Sequence, residues 1–164
     1  MTPDQSPAPA EGTLPKSRIL LVEDNPDDEM LATRSIRRGL GDIAVTVARD
    51  GQEAIDLVSS PNTGTFEMVL LDLKLPKVSG VEVLRFLRSH EPTRFLPVVV
   101  LTSSDERRDL LECYAGGANS YVRKPIDFQD YQTMIRETVG YWLRWNLRPD
   151  QHSAAGAAAS SGNA

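Results

Sequence analysis

One cysteine stands in 164 residues, so no internal disulfide can form and no cysteine-based metal site exists. Cys113 falls in the run Leu110-Leu-Glu-Cys-Tyr114 of an expected helix, where it reads as a small buried apolar residue; no neighbour is placed to lower its pKa. Histidine is nearly as scarce. His90 lies at a helix end and His152 in a low-complexity tail, and neither is assigned a role. No apolar run approaches the roughly 20 residues needed to span a bilayer. Residues 1–17, with Pro3, Pro7, Pro9 and Pro15, lack the apolar centre of a signal peptide. A soluble, cytoplasmic protein with no membrane partner is expected. A basic surplus is also missing: 18 Lys and Arg stand against 23 Asp and Glu, a net charge of −5, which argues against broad nucleic-acid binding. Arg34, Arg37 and Arg38 read as a solvated helix face, and no helix-turn-helix follows Leu147.

What is present is ordinary for a globular chain, with 40% hydrophobic and 25% charged residues. The length suits one domain with tails. Residues 1–17 are rich in Pro and Ala and are expected to be a disordered arm. Residues 149–164, with Ala154-Ala-Gly-Ala-Ala-Ala-Ser-Ser-Gly162, read as a disordered low-complexity tail. Between them, residues 18–148 alternate strand and helix five times. Strands are expected at Arg18–Val22, Ile43–Ala48, Met68–Asp72, Pro97–Thr102 and Ser120–Arg123. Helices are expected from Pro26, with Asn25 as cap, from Asp50, over Ser79–His90, over Asp105–Ala115, and from Asp127 to about Leu147. Apolar strands each followed by a helix predict an α/β fold, a parallel five-stranded sheet covered on both faces in three layers.

Four of the strand-like runs stop on chemistry. Arg18-Ile-Leu-Leu-Val22 stops on Glu23-Asp24, Met68-Val-Leu-Leu ends at Asp72, Pro97-Val-Val-Val-Leu stops on Thr102, and Ser120-Tyr-Val-Arg123 stops on Lys124-Pro125. In an open parallel sheet all these ends lie along one edge, where such sheets bind ligands. Taken alone, Glu23 and Asp24 read as helix caps. Taken together, the carboxylates can hold a hard cation such as Mg²⁺ through oxygen ligands. An aspartate can be the nucleophile toward a phosphoryl group, and a lysine can neutralise the equatorial oxygens in transfer. The set reads as a magnesium and phosphoryl site built around Asp72.

These segments resemble the receiver domain of two-component response regulators. The resemblance rests on Ile19-Leu-Leu-Val-Glu-Asp-Asn25, Val69-Leu-Leu-Asp-Leu-Lys-Leu-Pro76 with Gly80, Val98-Val-Val-Leu-Thr102, and Gly116-Gly-Ala-Asn-Ser-Tyr-Val-Arg-Lys-Pro125. The separations, 30 residues from Asp72 to Thr102 and 52 from Asp72 to Lys124, fit as well. The resemblance covers about residues 18–148 and implies a flavodoxin-like (βα)5 sandwich with strand order 2-1-3-4-5. It implies that Asp72 is the phosphoacceptor and that Glu23, Asp24, Asp72 and the backbone carbonyl of Lys74 hold Mg²⁺. Thr102 would be the switch hydroxyl, Tyr121 the switch aromatic and Lys124 the phosphoryl-pairing lysine, with a cis peptide before Pro125. The side chains of Lys74 and Ser104 stand at positions that vary in this family, and their roles are left open.

The combination of Asp72-Leu-Lys-Leu-Pro76, Val98-Val-Val-Leu-Thr-Ser-Ser104, Gly117-Ala-Asn-Ser-Tyr-Val-Arg-Lys-Pro125 and a closing Tyr141-Trp142-Leu143 makes the chain similar to small single-domain regulators, many of them partners of bacterial phytochrome-type histidine kinases. That implies a histidine kinase as phosphodonor and a phosphotransfer protein as a downstream partner. The chain would catalyse only its own aspartyl phosphorylation and dephosphorylation. The alternative is a phosphorylation-independent interaction module. On the last helix, Phe128, Tyr131, Ile135, Val139 and Trp142 fall on one face, read as core. Met134, Tyr141 and Trp145 fall about 110° away, a stripe read as an interface, with a homodimer the simplest partner.

Overall fold

The computed structural model describes residues 17–61 and 65–149. The arm and tail expected from the sequence lie outside the described residues, apart from Ser17 and Pro149. The chain runs β1 (Ser17–Val22), α1 (Pro26–Leu40), β2 (Ile43–Ala48), α2 (Gly51–Ser59), β3 (Met68–Leu71), α3 (Gly80–Ser89), β4 (Val98–Thr102), α4 (Arg107–Ala115), β5 (Ser120–Arg123) and α5 (Phe128–Arg144). A single 3₁₀ turn, Glu91–Thr93, follows α3. All strand pairs are parallel, in the order β2-β1-β3-β4-β5. The fold is the flavodoxin-like one that the resemblance implied.

Strand periodicity builds the two cores. Successive side chains of a strand point to opposite faces, and the central strands obey this residue by residue. Leu20, Val22, Val69, Leu71, Val98 and Val100 join Ala54 of α2, Val83, Leu84 and Leu87 of α3 and Cys113 of α4 on one face. Ile19, Leu21, Met68, Leu70, Val99 and Leu101 join Ala32 and Ile36 of α1 and Tyr131, Ile135 and Val139 of α5 on the other. Fully burying one such aliphatic side chain is worth about 1.5–3 kcal/mol. This two-sided burial explains why β1, β3 and β4 read as continuous apolar runs, while edge strand β2 is only half-buried at Ile43, Val45 and Val47.

Helix starts follow local chemistry. Asn25 Oδ1 accepts from Asp27 N at 2.9 Å and Asp28 N at 3.2 Å, with Pro26 in the first turn. Asp50 accepts from Glu53 N at 2.8 Å, and the Glu53 carboxylate takes the N–H of Arg49 at 2.7 Å. Ser79 and Glu82 make a reciprocal capping box, so α3 proper begins at Gly80.

Three expectations need correction. Helix α4 starts at Arg107 rather than Asp105, because residues 103–106 form a turn held by Ser104. Phe128 is not core: it is the first residue of α5 and is 58% exposed. Met134 leaves the outer stripe and packs, half-buried, against the α1/α5 core. The apolar face of a core helix spans at least about 100°, so an offset of about 110° still falls near its rim. Tyr141 and Trp145 remain exposed.

Candidate functional site

The carboxyl edge of the sheet is set by ladder bonds that run one residue past each strand. Glu23 N donates to Ala48 O at 2.9 Å, Asp72 N to Val22 O at 3.0 Å, and Lys124 N to Thr102 O at 2.8 Å. Each functional side chain is thereby fixed at a strand tip, with no freedom of register. The loop after Asp72 folds back at once. Gly80 N donates to Leu73 O at 3.0 Å, and a Cβ at Gly80 would run into the Asp72 carbonyl and Leu73 Cα. Only glycine permits that approach.

Three acids and one ammonium meet at the centre. Lys124 Nζ lies 2.6 Å from Glu23 Oε2, 2.8 Å from Asp28 Oδ2 and 3.2 Å from Asp72 Oδ2. Glu23 is 2% exposed and Asp72 is also buried, whereas Asp24 is exposed. Glu23 Oε1 accepts from Asn25 N at 3.0 Å; Asp72 Oδ1 accepts from Leu73 N at 2.6 Å and Lys74 N at 3.4 Å. Burial pushes the Glu23 carboxyl above its usual range, against the opposing pull of Lys124. Burial works to depress Lys124 too, but its bonds to Asp28 and Glu23 outweigh that and raise it.

Carboxylate oxygens of Glu23, Asp24 and Asp72 all lie within 4.8 Å of one another. With Asp28 that makes four carboxylates against one ammonium, so the edge is left strongly acidic. A hard, all-oxygen donor set of this kind fits Mg²⁺. Beside Lys124 opens a cleft of about 340 Å³, lined by Asp28, Leu31, Ser103, Ile126, Phe128 and Tyr131 among others.

Thr102 and Tyr121 stand close by but are engaged elsewhere. Thr102, 0% exposed, accepts from Ser104 N at its Oγ1 at 3.2 Å, and the half-buried Tyr121 donates its hydroxyl to Ser104 O at 3.2 Å. Burial also raises the Tyr121 phenol. The sequence reading brought together Glu23, Asp24, Asp72 and Lys124, and the geometry brings them together too. It missed Asp28, which lies with Asp27 and Glu29 in the first turn of α1, where the helix dipole favours acids without any ligand. The expected cis bond before Pro125 is a correction: no cis peptide occurs among the described residues. The trans X-Pro bond is lower in energy by about 0.5–1 kcal/mol, and Lys124 reaches all three acids with it.

A family model described as the response regulator receiver domain matches residues 19–136. Among curated relatives, the probable methanogenesis regulatory protein FilR2 of Methanothrix harundinacea is 42% identical over 134 residues, 80% of this chain and 86% of that protein. Response regulator Rcp1 of Synechocystis is 32% identical over 133 residues, 79% of this chain and 90% of Rcp1. Its Mn²⁺-bound solved structure matches with a TM-score of 0.75 at 31% identity, covering 81% of this chain and 99% of Rcp1. The phosphorylated cyanobacterial phytochrome response regulator RcpA matches with a TM-score of 0.77 at 30% identity, covering 81% of this chain and 98% of RcpA. No described helix is long and apolar enough to cross a membrane.

Proposed function

The chain belongs to the response regulator receiver family, and from that premise we propose that it is a stand-alone phosphoacceptor of a two-component relay, phosphorylated on Asp72. The observation that carries this reading is the convergence of Lys124 on Glu23 and Asp72, two strand-tip acids, with Asp24 within reach. An oxygen of Asp72 attacks the phosphorus of a kinase phosphohistidine. The P–N bond breaks as the P–O bond forms, and the imidazole, already protonated on its other ring nitrogen, leaves neutral. Glu23, Asp24, Asp72 and the backbone carbonyl of Lys74 would hold Mg²⁺. When bound, it supplies positive charge to the phosphoryl oxygens.

Lys124 neutralises a further oxygen of the transferred group, and its present partners Glu23 and Asp28 keep it poised beside Asp72. Burial of Glu23 and Thr102 excludes bulk water from the inner side of the site. The cleft beside Lys124, with exposed Ile126 and Phe128 on its wall, suits docking of a helical donor. By the resemblance to Rcp1 and RcpA, that donor is a phytochrome-type histidine kinase, and the signal passes on to a phosphotransfer protein. Exposed Tyr141 and Trp145 support a second copy of the chain as a further partner.

Intact mass after incubation with acetyl phosphate and Mg²⁺ tests the reading. Wild-type protein gains one phosphoryl group, and neither Asp72→Asn nor a Mg²⁺-free sample gains it. No gain in folded wild-type protein would sink phosphorylation by a small donor and leave an acceptor restricted to its kinase or an interaction module that works without phosphorylation.

A further inference from the structure

Tyr131 is 3% exposed, and its hydroxyl has no hydrogen-bond partner among the described residues. The ring packs in the core shared by α1 and α5, a setting that phenylalanine would fill without the cost of an unmade buried donor. The charges that act on the hydroxyl show which end of the core it occupies: Lys124 weighs most, then Asp28, Glu23 and Asp72. Burial, the largest influence, raises the phenol, so it keeps its proton and can donate. Tyr131 also lines the cleft beside Lys124, together with Asp28. The three protons of the Lys124 ammonium go one each to Glu23, Asp28 and Asp72. Glu23 is served by Asn25 N as well, and Asp72 by Leu73 N. The Asp28 carboxylate has Lys124 alone among the described residues.

We propose that Tyr131 is a positioning residue whose hydroxyl takes over Asp28 when the Lys124 ammonium turns to a phosphoryl group on Asp72. The proposal rests on the reading of Asp72 as phosphoacceptor. The phosphoryl oxygens lie two bonds beyond Asp72 Oδ, so the ammonium moves to reach them, and the acid it leaves is the one that depends on it alone. The Asp28 side chain is 34% exposed and has room to turn within the cleft. Left without a donor, it would face the other carboxylates and the added charge of the phosphoryl group. A hydroxyl-to-carboxylate bond from Tyr131 relieves this, and such charge-assisted bonds are among the stronger ones. No atom is transferred: an N–H···O bond to Asp28 is exchanged for an O–H···O bond. The orphaned hydroxyl is thus a cost of the resting arrangement that the phosphorylated one recovers, which shifts the balance toward the latter.

The test is a mutant cycle on the full chain, with beryllofluoride and Mg²⁺ as the phosphoryl probe. Tyr131→Phe melts at or above wild type without the probe, yet its half-saturating beryllofluoride concentration rises by at least about fivefold. In an Asp28→Ala background the same change alters half-saturation by less than about twofold, because the acceptor is gone. A merely structural role for the hydroxyl shifts melting alike with and without beryllofluoride and leaves half-saturation unmoved. A second arm needs no phosphoryl group. In Lys124→Met the ammonium has already left Asp28, so Tyr131→Phe there lowers the melting temperature, the reverse of its effect beside Lys124. Equal half-saturation in wild type and Tyr131→Phe overturns the proposal, as does a Tyr131→Phe change that stabilises both backgrounds alike. If Lys124→Met does not fold, the beryllofluoride cycle decides alone. If wild type takes neither beryllofluoride nor a phosphoryl group, the reading of Asp72 fails. The proposal then falls with it unless Lys124→Met shows the reversal, which would establish the Tyr131–Asp28 bond by itself.

Discussion

Removing the ammonium of Lys124 leaves Glu23, Asp28 and Asp72 facing one another with Asp24 near. Taking one partner from a buried ion pair costs about 3–5 kcal/mol, and Lys124 is 9% exposed at its side chain. Lys124→Met is expected to lose about 3 kcal/mol by denaturant unfolding without divalent cation. The difference from wild type shrinks as Mg²⁺ is added, because a bound cation relieves the same repulsion. An Mg²⁺-independent difference would mean that the acids do not share a cation. The raised Lys124 pKa gives a pH sign as well. The stabilisation is whole below the ordinary lysine value of 10.5 and is lost as pH rises through the higher folded value. Beneath the site, the Tyr131 hydroxyl is buried and has no partner among the described residues. Its removal leaves nothing unpaired. Tyr131→Phe should melt at or above the wild-type temperature, and a drop of several degrees would reveal a hidden partner.

At the scale of elements, caps and ladder bonds decide where chemistry ends up. Asp50 caps α2 and accepts Lys77 Nζ at 2.8 Å, tying that helix to the loop after Asp72. The Lys77 bond holds the Asp50 carboxyl below its ordinary value of 3.8. Its contribution is complete above that value and drains away as pH falls through the depressed folded value. The melting gap between wild type and Asp50→Ala should therefore be clear at pH 7 and narrow at pH 3. A gap unchanged by pH would assign the effect to packing rather than charge. The strand tips were legible in the sequence because each apolar run stops directly on Glu23, Asp72 or Lys124, and the ladder leaves no slack. Asp28 was hidden because acids in a first helical turn are common without any ligand. The bonding of Ser104, a position whose role the sequence left open, was not legible because part of it runs through backbone atoms, which residue type does not advertise. Met134 was misplaced because an offset of about 110° still falls near the rim of the core face, and Phe128 because a helical wheel shows direction but not burial at the first residue of the helix.

For the molecule as a whole, one edge of the sheet gathers the acids while α5 carries exposed Tyr141 at 53% and Trp145 at 77%. If these rings meet a second copy, wild type runs as a dimer in light scattering and Trp145→Glu as a monomer; equal masses would remove that partner. The arrangement by which a parallel sheet brings separate strand tips together is common to every protein of this fold. In this chain that edge brings Lys124, Glu23, Asp28 and Asp72 to one point. The most direct test is to trap the phosphoryl group chemically. Protein treated with acetyl phosphate and Mg²⁺ is reduced with borohydride, which converts an aspartyl phosphate to homoserine, and is then mapped by peptide mass. Homoserine at position 72 is the expected result. Homoserine elsewhere, or a phosphoryl group that survives reduction on another side chain, would contradict the account.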